Sequence, residues 1–138
     1  MSRINDKIKE IEKYLEEIMQ IFPENFEEYE INFEKKAACE RYFEKIVESL
    51  IYLAHLVSKN ERFNLLEKNK VFDLLSEKQI ITKNLSNKLK NAKGMRNIIS
   101  HKYGDTDDKI VFETMKEEFI SDSKEFINKI KEQFSENF

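Results

Sequence analysis

Strong helix breakers are nearly missing from this chain. Across 138 residues only Gly94, Gly104 and Pro23 interrupt it. Sheet proteins with many short strands need turn punctuation every few residues, and this sequence does not supply it. An all-α fold is the economical reading. The first segment supports it: Ile4, Ile8, Ile11, Leu15, Ile18 and Phe22 alternate spacings of four and three. That is the apolar stripe of an amphipathic helix, with Lys and Glu on the opposite face. Pro23 ends it.

The later segments read the same way. Glu24 to Glu30 is acidic and is expected to be a connection or loose turn. A second helix is predicted from Ile31–Glu34 to about Ser58, striped by Phe43, Ile46, Leu50, Leu53 and Val57. Its middle, Leu50-Ile51-Tyr52-Leu53-Ala54, is apolar nearly all round. Such a helix is either central in a bundle or also buried against another chain. Lys59 to Lys70 reads as a polar loop, and Val71 to Ile81 as a short helix. Thr82 is a candidate cap for a helix running from Lys83 to Tyr103, with Gly104 at its C-cap. Asp105-Thr106-Asp107-Asp108 offers N-caps for a last helix to about Phe134, marked by Phe112, Met115, Phe119, Phe126, Ile130 and Phe134. That stripe lapses at Asp122-Ser123.

Hydrophobic residues make up 40% of the chain and aromatics 12%, enough for the core of one domain over residues 1–138 and too many for a disordered chain. No repeat or linker divides it. The net charge of −3 argues against non-specific coating of nucleic acid or of an acidic membrane, because such binding needs many positive contacts. Cys39 is alone, so no intrachain disulfide can form, and buried packing in a reducing compartment is the expectation. No apolar run reaches 18 residues, so a soluble, cytoplasmic protein without a membrane span is expected. With two histidines and one cysteine, no zinc site is expected, and His55 reads as a packing or interface histidine.

Charge is unevenly spread. From Lys78 to Tyr103 the chain carries seven basic residues and no Asp or Glu, while the other 17 of its 24 basic residues face 27 acidic ones, a net of −10. A basic island in an acidic protein points to a local anion site, although a solvated lysine face gives the same pattern. Within the helix Leu85, Ala92, Met95, Ile98, Ile99 and Tyr103 fall on one side at about 100° per residue. Lys90, Lys93, Arg96, Asn97, Ser100 and His101 fall on the other. Gly94 costs this helix about 1 kcal/mol relative to Ala, which suggests close approach of a backbone or ligand.

Arg96, Asn97 and His101 carry the chemistry. Arginine offers a permanently charged planar fork for phosphate oxygens, and histidine exchanges a proton near neutral pH. Together they suffice for metal-free phosphodiester cleavage. Arg96 and His101 are five apart, roughly 140° round an ideal helix, so one copy holds a phosphate awkwardly. Two copies across a two-fold axis would pool two arginines and two histidines in one cleft.

Arg96-Asn97-Ile98-Ile99-Ser100-His101-Lys102-Tyr103 has an Arg-x4-His-x-Tyr form and here resembles the HepT-like toxins of the HEPN superfamily. Ala38 to Glu48 looks like that family's second-helix segment, Phe72 to Ile81 takes the place of the apolar segment before the motif helix, and Asp107 to Ile130 also fits. The resemblance implies a four- to five-helix bundle that forms a homodimer, with a metal-independent endoribonuclease site at the dimer cleft and no cofactor. It implies a minimal nucleotidyltransferase (MntA-like) as antitoxin partner, in a type VII-like system, with AMP attached to Tyr103. Arg96 and His101 carry over as catalytic, Asn97 as polar helper, and Lys90, Lys93, Ser100 and Lys102 as RNA-binding candidates. Arg41, Glu48 and Ile51 are interface candidates. A non-catalytic HEPN module that binds nucleotide or a partner stands as the alternative.

Overall fold

The structure is a computed structural model, and it describes residues 2–64, 70–101 and 107–134. Every regular element among them is helical: α1 (Ser2–Ile21), α2 (Phe26–Ile31), α3 (Phe33–Asn60), α4 (Val71–Glu77), α5 (Lys83–His101), α6 (Asp108–Thr114) and α7 (Ile120–Phe134). A π-helical stretch, Met115–Phe119, joins the last two into one rod. Four long rods, α1, α3, α5 and α6–α7, thus form the bundle, with α2 and α4 as short additions.

The α1 stripe does what its spacing requires: Ile4, Ile8, Ile11, Leu15 and Ile18 are all buried. They meet α3, the central helix, which also packs against α2, α4 and α5. This accounts for its all-round apolar middle. Leu50, Leu53 and Ala54 are buried within the chain itself, while Tyr52 stays exposed. Phe43 of α3 packs against Phe119 with ring centroids 4.5 Å apart, fastening the centre of the bundle to the last rod. Cys39 is fully buried one turn before Phe43, and burial pushes its thiol up to about 11, which suits packing rather than thiolate chemistry.

Glu24 to Glu30 is not a loose connection. Asn25 caps a short helix there, its Oδ1 accepting from Glu28 N at 2.9 Å, and Tyr29 anchors it. The Tyr29 ring lies 5.2 Å from Phe112, and its hydroxyl donates to Glu40 Oε2 at 3.2 Å. Phe26 joins it, 6.0 Å from the same Phe112 ring, and the two aromatics hold an otherwise acidic turn on the core. The expected short helix from Val71 stops at Glu77, and Gln79 then takes a positive φ of 62°. That residue turns the chain so that Ile80 and Ile81 are buried without being helical.

The lapse at Asp122-Ser123 is not a break in the buried face. Both residues lie on it, Asp122 reaching Lys88 of α5 at 3.6 Å and Ser123 fully enclosed. Burial raises the Asp122 carboxyl above its usual range, against the pull of Lys88. No helix of the described residues is long and apolar enough to cross a membrane.

Candidate functional site

The basic helix α5 is fixed at its start by Thr82, whose Oγ1 accepts from Leu85 N at 3.0 Å as expected of an N-cap. Leu85, Leu89, Ala92 and Ile99 form its buried seam. The seam docks α5 against α3, α4 and α7. Those neighbours provide the acids that α5 itself lacks. Asp73 of α4 pairs with Lys90 at 2.8 Å, and Asp122 of α7 approaches Lys88. Part of the basic island is therefore neutralised across helices, and Lys90 is held toward α4.

The motif end of α5 is paired with α3 by two rungs. Glu44 Oε2 accepts from Ser100 Oγ at 2.7 Å, and Glu48 Oε1 lies 3.7 Å from Arg96 Nη1. Residues four apart on one helix stack above each other, so Glu44 and Glu48 in α3 match Ser100 and Arg96 running the opposite way in α5. The Arg96 side chain is only 17% exposed. Its Nε also donates to Asn97 Oδ1 at 2.9 Å, which holds one edge of its planar fork, while Glu48 at 3.7 Å is a charge neighbour beyond hydrogen-bond reach. Donors on Nη1 and Nη2 remain for an anion.

His101 is the last described residue of α5 and is exposed. It and Asn97 are one turn apart on one face, while Arg96 lies further round. The arrangement thus offers a fixed cation, an amide and an exposed imidazole at one helix end. Lys93, three residues before Arg96, is half-buried on the same flank. Lys102 and Tyr103, and the expected cap Gly104, lie outside the described residues.

One expectation from the sequence changes in the folded chain, and two residues gain detail. Ile98, expected with the buried side, is 44% exposed beside Asn97. A Cβ added at Gly94 would meet nothing within 4 Å, so among the described residues no backbone approaches there. Glu48, an interface candidate, is an intrachain partner of Arg96, and Glu44, which no sequence motif marks, joins it. The signal for both was present: Arg41, Glu44, Glu48 and Ile51 follow spacings of three, four and three, which places them on one face of α3. Arg41 is exposed and Ile51 half-buried on that face. Among the described residues no group of three His, Cys, Asp or Glu stands together as a metal site, and His55 is half-buried in α3.

Comparison with known proteins bears on this geometry. The family model described as "Ribonuclease HepT-like" matches residues 11–130. No curated protein matches the chain. Among solved structures, the chain is similar to the tri-AMPylated Shewanella oneidensis HEPN toxin in complex with MNT antitoxin. That match has 24% identity and a TM-score of 0.86, covering 94% of this chain and 97% of the other. It is likewise similar to a toxin–antitoxin complex with AMP-PNP, at 23% identity and a TM-score of 0.87, covering 96% and 100%. At such identities the likeness shows the shared fold.

Proposed function

The chain belongs to the HepT-like family, and on that premise we propose that it is the toxin of a HEPN–nucleotidyltransferase pair, an endoribonuclease whose reaction needs no metal. The carrying observation is that α5 brings the largely covered guanidinium of Arg96, hydrogen-bonded to Asn97, and the exposed imidazole of His101 to the same helix end. Arg96 binds the scissile phosphate and stabilises charge on its non-bridging oxygens. His101 removes the 2'-hydroxyl proton of the ribose. The 2'-oxygen then attacks phosphorus, giving a 2',3'-cyclic phosphate, and the 5'-oxygen leaves with a proton from an imidazolium. Two roles for histidine on one phosphate call for two copies, since five residues of helix separate Arg96 from His101. A homodimer pooling both sets meets that need, with Arg41 and Ile51 at its edges.

Regulation rests on Tyr103, two residues past His101. AMP attached to its hydroxyl by a nucleotidyltransferase antitoxin adds bulk and negative charge two residues from His101, and so silences a site built for RNA. The structural relatives support this reading, since one is a tri-AMPylated toxin bound to an MNT antitoxin.

The test is cleavage of total RNA by the purified, unmodified protein in the presence of EDTA. Wild type is expected to cut, with products ending in cyclic phosphate. His101→Ala and Arg96→Ala are expected to be inert. Uncut RNA with wild type, together with neutral behaviour of all three on overexpression, would leave a non-catalytic module as the better reading.

A further inference from the structure

Glu48 faces two ways. Besides touching Arg96 it lines a cleft of about 270 Å³ between α1 and α3, walled by Tyr14 and Tyr52 with Lys7 and Lys45 above them. Lys7 Nζ stands 4.6 Å from the centre of the Tyr52 ring and Lys45 Nζ 5.5 Å from that of Tyr14. Tyr52 is nonetheless 45% exposed, so ring surface remains available with the ammonium in place. A half-exposed tyrosine costs solvation and packs little, and nothing in the bundle requires it.

The electrostatics of the cleft select its ligand. Glu10 is spent inside it, one carboxylate oxygen paired with Lys7 and the other accepting from Tyr14 Oη. Two ammoniums and two carboxylates balance, so the cleft has no excess positive charge to hold a phosphate. What it offers is aromatic surface, cation-polarised rings and one Glu48 oxygen beyond the Oε1 that meets Arg96. Those features suit a flat, uncharged π-system with N–H donors at its edge, which describes a nucleobase. The phosphate-binding group stands next door, one glutamate side chain away.

We propose that the Tyr14–Tyr52 cleft is a nucleobase subsite of the RNA-cleaving site, seating the base adjacent to the phosphate held by Arg96. The base stacks on Tyr52, and Glu48 accepts an N–H from its edge. This assignment rests on the RNA-cleavage reading and adds to it a source of sequence preference. Cleft and guanidinium belong to the same chain, so the subsite is present in each copy of a dimer.

The experiment uses a 5'-fluorescein-labelled, 20-nucleotide single-stranded RNA of mixed sequence. Its affinity is measured by anisotropy on His101→Ala protein with and without a second change at Tyr52. Tyr52→Ala is expected to weaken binding about tenfold, within the range for loss of one base–aromatic stack, and Tyr52→Phe to restore most of it. In the His101-intact protein, Tyr52→Ala should raise KM with little change in kcat and alter the base composition at mapped cut sites. Equal binding by Tyr52→Ala and its parent, or absence of RNA binding, overturns the subsite. If wild type fails to cut RNA while Tyr52 still governs binding, the cleavage reading falls and the base site stands.

Discussion

Glu48 in the middle of α3 and Arg96 near the end of α5 stand 3.7 Å apart, the carboxylate half-exposed and the guanidinium mostly covered. At that separation the carboxylate biases where the guanidinium lies without a hydrogen bond to hold it. Preorganised charge is worth more to a reaction than mobile charge, because its orientation is settled before the substrate arrives. If Glu48 serves Arg96 in this way, Glu48→Gln should lower kcat/KM roughly tenfold to hundredfold with little loss of folding stability. The comparison is steady-state cleavage against thermal melting of the same sample. A faster variant would show instead that the carboxylate restrains Arg96 by competing with phosphate.

The fork of Arg96 matters as well as its charge. Its Nε is engaged by Asn97 and its Nη1 by Glu48, a planar set that an ammonium cannot reproduce. Arg96→Lys is therefore expected to lose about a hundredfold or more in kcat, close to the loss on removing a preorganised donor. Retention of activity within about threefold would reduce Arg96 to a point charge.

Open space around Gly94 makes a clean test of what approaches α5 from outside. Gly94→Ala should stabilise the helix by about 1 kcal/mol, raising Tm by roughly 4 °C, since the added methyl meets no atom of the described residues within 4 Å. Should the stabilised protein also lose RNA cleavage, a second copy or the substrate must come close at that position. An unchanged or lower Tm contradicts the helical cost assigned to this glycine.

Burial raises the Asp122 carboxyl above its ordinary value of 3.8, with Lys88 opposing the shift. The folded state then holds its proton more tightly than the unfolded state. Stability from this group is present below about pH 3.8 and is lost as pH rises through the folded pKa. Asp122→Asn removes that loss and forfeits only a partly exposed ion pair worth about 0–1 kcal/mol. The variant should resist urea better than wild type at neutral pH, with the gap closing as pH falls below the ordinary carboxyl value. Lower resistance at neutral pH would mean that attraction to Lys88 outweighs the cost of burying the carboxylate.

Intact mass decides the proposed regulation. Co-produced with a nucleotidyltransferase of the proposed antitoxin class, the protein is expected to gain AMP-sized increments that Tyr103→Phe abolishes. Increments that persist in Tyr103→Phe place the modification on another residue.

Periodicity determined the long helices. The four-three alternation from Ile4 to Ile18 states which face is buried whatever it packs against, and Thr82 and Asp107 cap their helices through bonds a few residues long. The motif from Arg96 to Tyr103 was equally legible, being contiguous. Such signals are local, so the order of residues contains them. What the chain order could not specify is which residues meet across helices. Nothing in the chain order ties Glu44 to Ser100 or Glu48, an interface candidate, to Arg96 until α3 and α5 dock antiparallel. Asp122 and Ser123 interrupt an apolar pattern, yet both sit on the buried face, where Lys88 of another helix meets Asp122. The turn at Glu24 to Glu30 became a helix because Tyr29 found Phe112, 83 positions on. Pairing of this kind depends on helix orientation and depth of packing, and only the tertiary structure sets those.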